Sequence, residues 1–283
     1  MPIETLLSRQ NSDGGWPYLR GGSWTEPTAY AILALLSAGE QDVAARGMGW
    51  IRSVARPDGG TAPRREVEES TWVTSLVALL PPDRLGQAYY QRSVEWLLRT
   101  AGQETSLATR LREYLRGYTR APEQKFAGWP WMPGAAAWVG PTSLAILALR
   151  NASRQRHWPH LADRVEDGRQ FLLVRMCQEG GWNHGSVHPL GYEAHPYPET
   201  TGMALAALAG VQSPKVEQGI AAARRFLEGC RSADAWNWLR LGLAAHGRWP
   251  AHDSPAGIEY RTTPEIALSL LAGGGTANPL RES

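Results

Sequence analysis

Along this chain, stretches that are apolar at nearly every position alternate with stretches where apolar residues recur every third or fourth place. A helix with no polar face is buried on all sides, whereas an amphipathic helix lies on the outside. Residues 29–38, 70–80, 141–150 and 199–210 are of the first kind. Residues 42–55 are of the second, with Met48, Trp50, Ile51 and Val54 on one stripe, as are 86–101, 160–177 and 215–230. The alternation predicts two concentric layers, with inner helices near 26–38, 70–80, 141–150, 199–210, 233–245 and 264–272. No stretch alternates with a period of two, so little strand is expected. The expected fold is all-α: a single (α/α)6 toroid over 1–272, a charged helical insertion near 106–117, and a C-terminal tail, 273–283, that frays.

A second pattern is laid over the first. Gln10-Asn11-Ser12-Asp13-Gly14-Gly15-Trp16, Arg56-Pro57-Asp58-Gly59-Gly60, Gln124-Lys125-Phe126-Ala127-Gly128-Trp129 and Gln178-Glu179-Gly180-Gly181-Trp182 are versions of one turn. Each is followed by an irregular link and an apolar helix with threonine near its start: Thr28, Thr71, Thr142, and Thr200-Thr201. Repetition on this scale signals a repeat architecture. Pro27 suits the first turn of its helix, and Thr28 is expected to accept from free backbone N–H groups there.

Composition narrows the function. A net charge of +2 with scattered arginines gives no electrostatic case for nucleic acid. Cys177 and Cys230 are too few for a disulfide framework. The N-terminus lacks the charged and apolar regions of a signal peptide, and no apolar run approaches a bilayer-spanning length. A cytoplasmic protein without a transmembrane segment is therefore expected. Gly273-Gly274-Gly275 has no helix after it, so it is no phosphate loop.

The Gln-x-x-x-Gly-Gly-Trp turn followed by a Thr-bearing inner helix resembles the repeats of squalene-hopene cyclases and is similar to the β subunits of protein prenyltransferases. The likeness covers most of 1–272. It implies that Gln10/Trp16, Gln124/Trp129 and Gln178/Trp182 clamp outer-helix ends, that the ligand is an isoprenoid or other apolar small molecule, and that a companion domain or subunit completes the cavity. The second repeat departs from the pattern at Arg56 and Thr61, and the segment near 230 has no turn. The Asp-x-Asp-Asp-Thr-Ala segment of proton-donating cyclases is absent. Its nearest counterpart is Tyr197-Pro198-Glu199-Thr200-Thr201-Gly202, with Glu199 in the donating position. The zinc motif of the prenyltransferases and the Asp-Asp-x-x-Asp motif of ionising terpene synthases are absent too, so no cofactor and no metal is implied.

The expected site is the end of the toroid where the inner helices begin. Glu199, Asp234 and Glu26 are the candidate acids, with His195 orienting Glu199. The chain has thirteen Trp and nine Tyr against three Phe. Trp24, Trp72, Trp138, Tyr192, Tyr197 and Trp236 are the rings expected to line a substrate, since aromatic faces stabilise cations. An acid at each helix start is also what capping and the helix dipole favour, so Glu26, Glu69, Glu199 and Glu265 carry that structural reading as well. Three functions stay open: acid-initiated isoprenoid cyclisation, a non-catalytic toroid binding lipid or protein, and a carbohydrate-active enzyme using Glu193 and Glu199.

Overall fold

The computed structural model describes residues 2–116, 124–185, 194–249, 257–273 and 278–280. Its helices are α1 (Pro2–Arg9), α2 (Thr25–Ser37), α3 (Gln41–Ser53), α4 (Val73–Val77), α5 (Pro82–Leu85), α6 (Gln87–Arg99), α7 (Leu107–Leu115), α8 (Val139–Ser153), α9 (Leu161–Val174), α10 (Pro198–Ala207), α11 (Pro214–Gly229), α12 (Ala233–Ala244) and α13 (Thr263–Ala272). Among the described residues strand is confined to the short antiparallel pair β1 (Trp129–Pro130) and β2 (Ala137–Trp138), and two isolated bridges.

Among the described residues six helices make an inner ring. α2 packs on α4, α4 on α8, α8 on α10, α10 on α12, α12 on α13, and α13 returns to α2. These are the mainly apolar segments, and most of their residues are buried. The amphipathic α1, α3, α6, α9 and α11 lie outside, against α13, α2, α4/α8, α8 and α10/α12 respectively. The expected inner helix over 70–80 is shorter, only Val73–Val77. Pro81 and Pro82 follow closely, and the residue before a proline is pushed out of the helical region.

The Gly-Gly turns fit between layers with no room to spare. Gly14, Gly59 and Gly180 have φ of +90°, +93° and +82°. A β-carbon on them would lie 2.7, 2.8 and 3.0 Å from the carbonyl oxygens of Arg46, Arg92 and Gln218 on the next outer helix. On the other side, a β-carbon on Gly15 or Gly60 would meet Ser23 or Ser70 at 2.5 Å. Glycine is therefore required twice in succession, once for each wall.

The tryptophans after the turns pin the two layers together. Trp16, Trp129 and Trp182 donate Nε1–H to the carbonyls of Leu6, Leu97 and Leu172 on the preceding outer helix, at 2.7–2.8 Å. Their backbone N–H groups donate to Thr28, Thr142 and Thr201 Oγ1 on the inner helix. Thr28 thus caps the turn, not its own helix as the sequence suggested. Each ring edge fills the notch left by a glycine on the following outer helix: Gly47, Gly168 and Gly219. In the second repeat the donor is Thr61, whose backbone N–H meets Thr74 and whose hydroxyl pairs with Tyr89 of α6. Gln10 clamps as the resemblance implies, donating to the carbonyls of Gly14 and Val43 and accepting from Arg46. Arg56 turns back on its own link, to Val67 and Arg65.

A belt of backbone hydrogen bonds runs round the end where the inner helices start. At four of the six inner-helix starts a residue donates to the carbonyl two places after a repeat's Trp or Thr: Thr25 to Pro63, Trp72 to Trp131 and Val139 to His184, each at 2.9 Å, are three of them. Thr263 of α13 donates to Tyr18 at 2.7 Å, which joins the last inner helix to the first repeat. The belt skips α10. Its first residue, Pro198, has no N–H to give, and the segment near 230 has no turn to receive one. α10 and α12 close that gap by direct contact.

Candidate functional site

The belt fixes the backbone at the helix starts, and so fixes what the adjoining side chains face. The residues flanking four successive inner helices on their N-terminal side are aromatic: Trp24, Trp72, Trp138 and Tyr197. Trp72 meets Trp131 edge-on at 4.9 Å. Trp131 and Trp138 lie 6.5 Å apart, Trp138 and His184 6.0 Å, and His184 and Tyr197 5.0 Å. The result is an arc of touching rings over the starts of α4, α8 and α10. It is open to solvent, with Trp138 38% and Tyr197 46% exposed. Trp24 stands apart from it, 5.7 Å from Tyr18, with the Arg64 guanidinium 4.8 Å from its ring.

The acids occupy the other half of the ring. Glu26, Glu199, Asp234 and Glu265 sit in the first turns of α2, α10, α12 and α13. Glu265 is a cap: its carboxylate accepts from the N–H groups of Arg261 and Thr262 at 2.7 Å. Asp234 is different. Burial, and then the negative charges of Glu26, Glu199 and Glu265, push its carboxyl up to about 7. Glu26 is also raised by burial, partly offset by the hydrogen bond that Tyr18 donates to it. Buried Tyr30 on α2 is raised well above its ordinary value by burial and by the charges of Glu26 and Asp234. Its ring meets Trp238 edge-on at 6.5 Å. Among the described residues no three His, Cys, Asp or Glu side chains converge as a metal set. Asp234 is near enough to Glu26, Glu199 and Glu265 to feel their charge.

Some expected partners are elsewhere. His195 does not orient Glu199: its Nδ1 lies 2.8 Å from Glu179 Oε1, and both residues are exposed. Glu69 is exposed and precedes α4. Trp236 is 2% exposed, part of the core, and its buried Nε1 has no partner. Tyr192, His188 and Glu193 lie outside the described residues. Tyr18, Tyr30 and Asn237 were not singled out from sequence. Tyr30 and Asn237 carried a signal, as polar groups inside otherwise apolar inner helices.

No protein-family model matches the chain, and no curated protein sequence matches it. Among solved structures it is similar to the type II terpene cyclase MstE from Scytonema, with 19% identity and a TM-score of 0.56 over 98% of this chain and 79% of that one. It is also similar to the endo-β-1,4-glucanase CMCax from Acetobacter xylinum, with 16% identity and a TM-score of 0.58 over 98% and 97%. The family 8 endoglucanase Cel10 from Klebsiella pneumoniae matches at 16% identity and 0.58 over 96% and 98%. Among the described residues no helix is long and apolar enough to cross a membrane. The chain has the (α/α)6 toroid fold that these terpene cyclase and endoglucanase structures share.

Proposed function

We propose that this chain is an enzyme that begins its reaction by protonating an isoprenoid substrate at the helix-start face, with Asp234 as the donor. The observation that carries the reading is the position of Asp234, partly buried in the first turn of α12 and facing three further carboxylates, which holds its proton near neutral pH. A general acid must carry its proton at the working pH, and burial among like charges achieves this. Glu26, tied to Tyr18, is the second acid whose carboxyl burial raises. Glu199 contributes negative charge to Asp234, a supporting place compared with its expected role as donor. The aromatic arc, with Tyr30 and Trp238 inside the ring, supplies faces over which positive charge can pass along the substrate. A companion domain or subunit would cover the open arc.

The test is incubation of wild type and Asp234→Asn with squalene, oxidosqualene and geranylgeranyl substrates, with products read by mass spectrometry. The proposal expects product from wild type and loss of it in the variant. No product from wild type, or equal product from both, overturns it. The open arc of rings also favours a second reading, stacking on sugar rings, with the same acids cleaving a glycosidic bond. Turnover on a polysaccharide panel with none on isoprenoids would establish that one instead.

A further inference from the structure

We propose that two copies of this chain pair by exchanging helices: the exposed apolar stripe of α7 on one copy seats in the cleft between α6 and α9 of the other.

α7 is the helix that the two layers leave over. Of the other elements, only the turn Gln103–Thr105 packs closely against it. That turn ties its start to the β1–β2 pair. Gln103 N–H donates to the Ala135 carbonyl at 2.9 Å, and the Glu104 carboxylate accepts from the Ala137 N–H at 3.1 Å. α7 is nonetheless amphipathic. Leu111, Tyr114 and Leu115 stand three and four residues apart and so share one stripe. They are 59%, 81% and 74% exposed. A helix this short gains most of its stability from covering its apolar face, and here nothing within the chain covers it. Arg112 and Arg116 are exposed beside the stripe, whereas Glu113 falls opposite Leu111 in helical register.

The cleft has the complementary character. It holds about 550 Å³ on the outer wall, between the end of α6, the start of α9 and the turn before Trp129. Its apolar floor is Leu98 and Phe126, both half-buried. Its rim carries Asp163, Glu166 and Asp167 of α9. Arg164 also lines it, but its guanidinium is engaged inward, on the Trp129 ring and the carbonyls of Thr100, Ala127 and Gly128. The acids are less committed. Asp167 accepts from the Ala127 N–H through Oδ2 alone. Glu166 accepts from Gln170, and Arg169 stands 3.8 Å away. Asp163 is exposed and has no hydrogen bond or ion pair among the described residues.

An apolar floor with an acidic rim fits an apolar stripe with basic flanks. The occupant is a second copy, because the stripe of the chain's own α7 is open to solvent while its tie at Gln103 and Glu104 is intact. Exchange across a twofold axis makes the same contact twice. Once the first has formed, the second is an intramolecular event. Burial of the stripe supplies the affinity, and the charges set its orientation in the cleft.

The experiment is sedimentation velocity of the full chain from about 1 to about 100 μM, at low and high salt. Wild type is expected to dimerise with a Kd on the order of 10 μM, and more weakly at about 1 M salt. Leu111→Asp/Leu115→Asp removes the stripe, and Asp163→Lys/Glu166→Lys reverses the rim. All four side chains are exposed, so both variants are expected to keep the wild-type melting temperature. Each is expected to weaken dimerisation about tenfold or more. Mixed in equal amounts, the two variants leave one sound stripe facing one sound cleft, and the mixed dimer is expected to be tighter than either variant's own. Wild type that stays monomeric at about 100 μM overturns the inference. A monomer in which trypsin spares Arg112 and Arg116 assigns the cleft to the chain's own helix instead, and a monomer that floats with anionic vesicles assigns the stripe to a lipid surface. A dimer indifferent to Asp163→Lys/Glu166→Lys overturns it too, as does a mixture no tighter than its components.

Discussion

Gly202 and Gly242 touch backbone to backbone: a β-carbon on Gly242 would lie 2.4 Å from the carbonyl oxygen of Gly202. On the other side, a β-carbon on Gly202 would lie 2.3 Å from the carbonyl carbon of Trp238. This contact joins α10 to α12 at the place where the hydrogen-bonded belt skips a helix. The obstacle is main chain, which cannot rotate away. Gly202→Ala and Gly242→Ala are each expected to cost about 3 kcal/mol, the upper end for overpacking. Urea unfolding of the two single variants and the double variant checks this. Because both press on one contact, the double variant should lose less than the sum.

The same argument applies to the notch that receives Trp182. A β-carbon on Gly219 would lie 2.6 Å from the Trp182 ring. Gly219→Ala is therefore expected to destabilise, even though alanine is the better helix former and the change alone would favour α11. Trp182→Phe should cost about 1–3 kcal/mol, because the Leu172 carbonyl is left buried without its donor. Thermal melts that rise for Gly219→Ala would contradict this packing.

Arg164 does more than its place on an outer helix suggests. Its guanidinium lies 3.3 Å from the Trp129 ring centroid and donates to the carbonyls of Thr100, Ala127 and Gly128. Burial lowers it to about 9. Lysine can neither stack as a plane nor reach three carbonyls in a fork. Arg164→Lys is expected to lose about 2 kcal/mol or more, read as a lower denaturant midpoint.

The layers and the turns were legible in the sequence because both are written locally. Helical periodicity shows within a dozen residues, and Gly-Gly-Trp states its own geometry. The partners of those turns were not legible. Asp13 and Asp58 accept from Trp50 and Trp96 on the next outer helix as well as from Ser23 and Ser70, and nothing near Asp13 announces Trp50. The candidate site has the same limit. Motif reasoning favoured Glu199, whereas the carboxyl raised to about 7 is that of Asp234. α12 and α2 come together only because α13 closes the ring, through Thr263 and Tyr18 at opposite ends of the chain. His195 was assigned by closeness in sequence, and in the structure it faces Glu179.

Exposed Asp58 and half-buried Asp234 should give stability opposite pH dependences. Hydrogen bonds from Ser70, Gly60 and Trp96 outweigh the burial that would raise Asp58, and hold it below its ordinary 3.8. Its contribution is present above that value and lost as pH falls through the lower, folded value. Asp234 runs the other way. The folded chain keeps its proton to about 7, while the unfolded chain releases it near 3.8. Between those values the native state binds more protons, so stability falls as pH rises. Asp234→Asn is expected to flatten that fall, and Asp58→Asn to flatten the acid limb, in urea midpoints taken from about pH 2 to about pH 8. Turnover that depends on the Asp234 proton should decline above about pH 7 in step with the wild-type stability slope. A stability decline that persists unchanged in Asp234→Asn would assign the titration to another group.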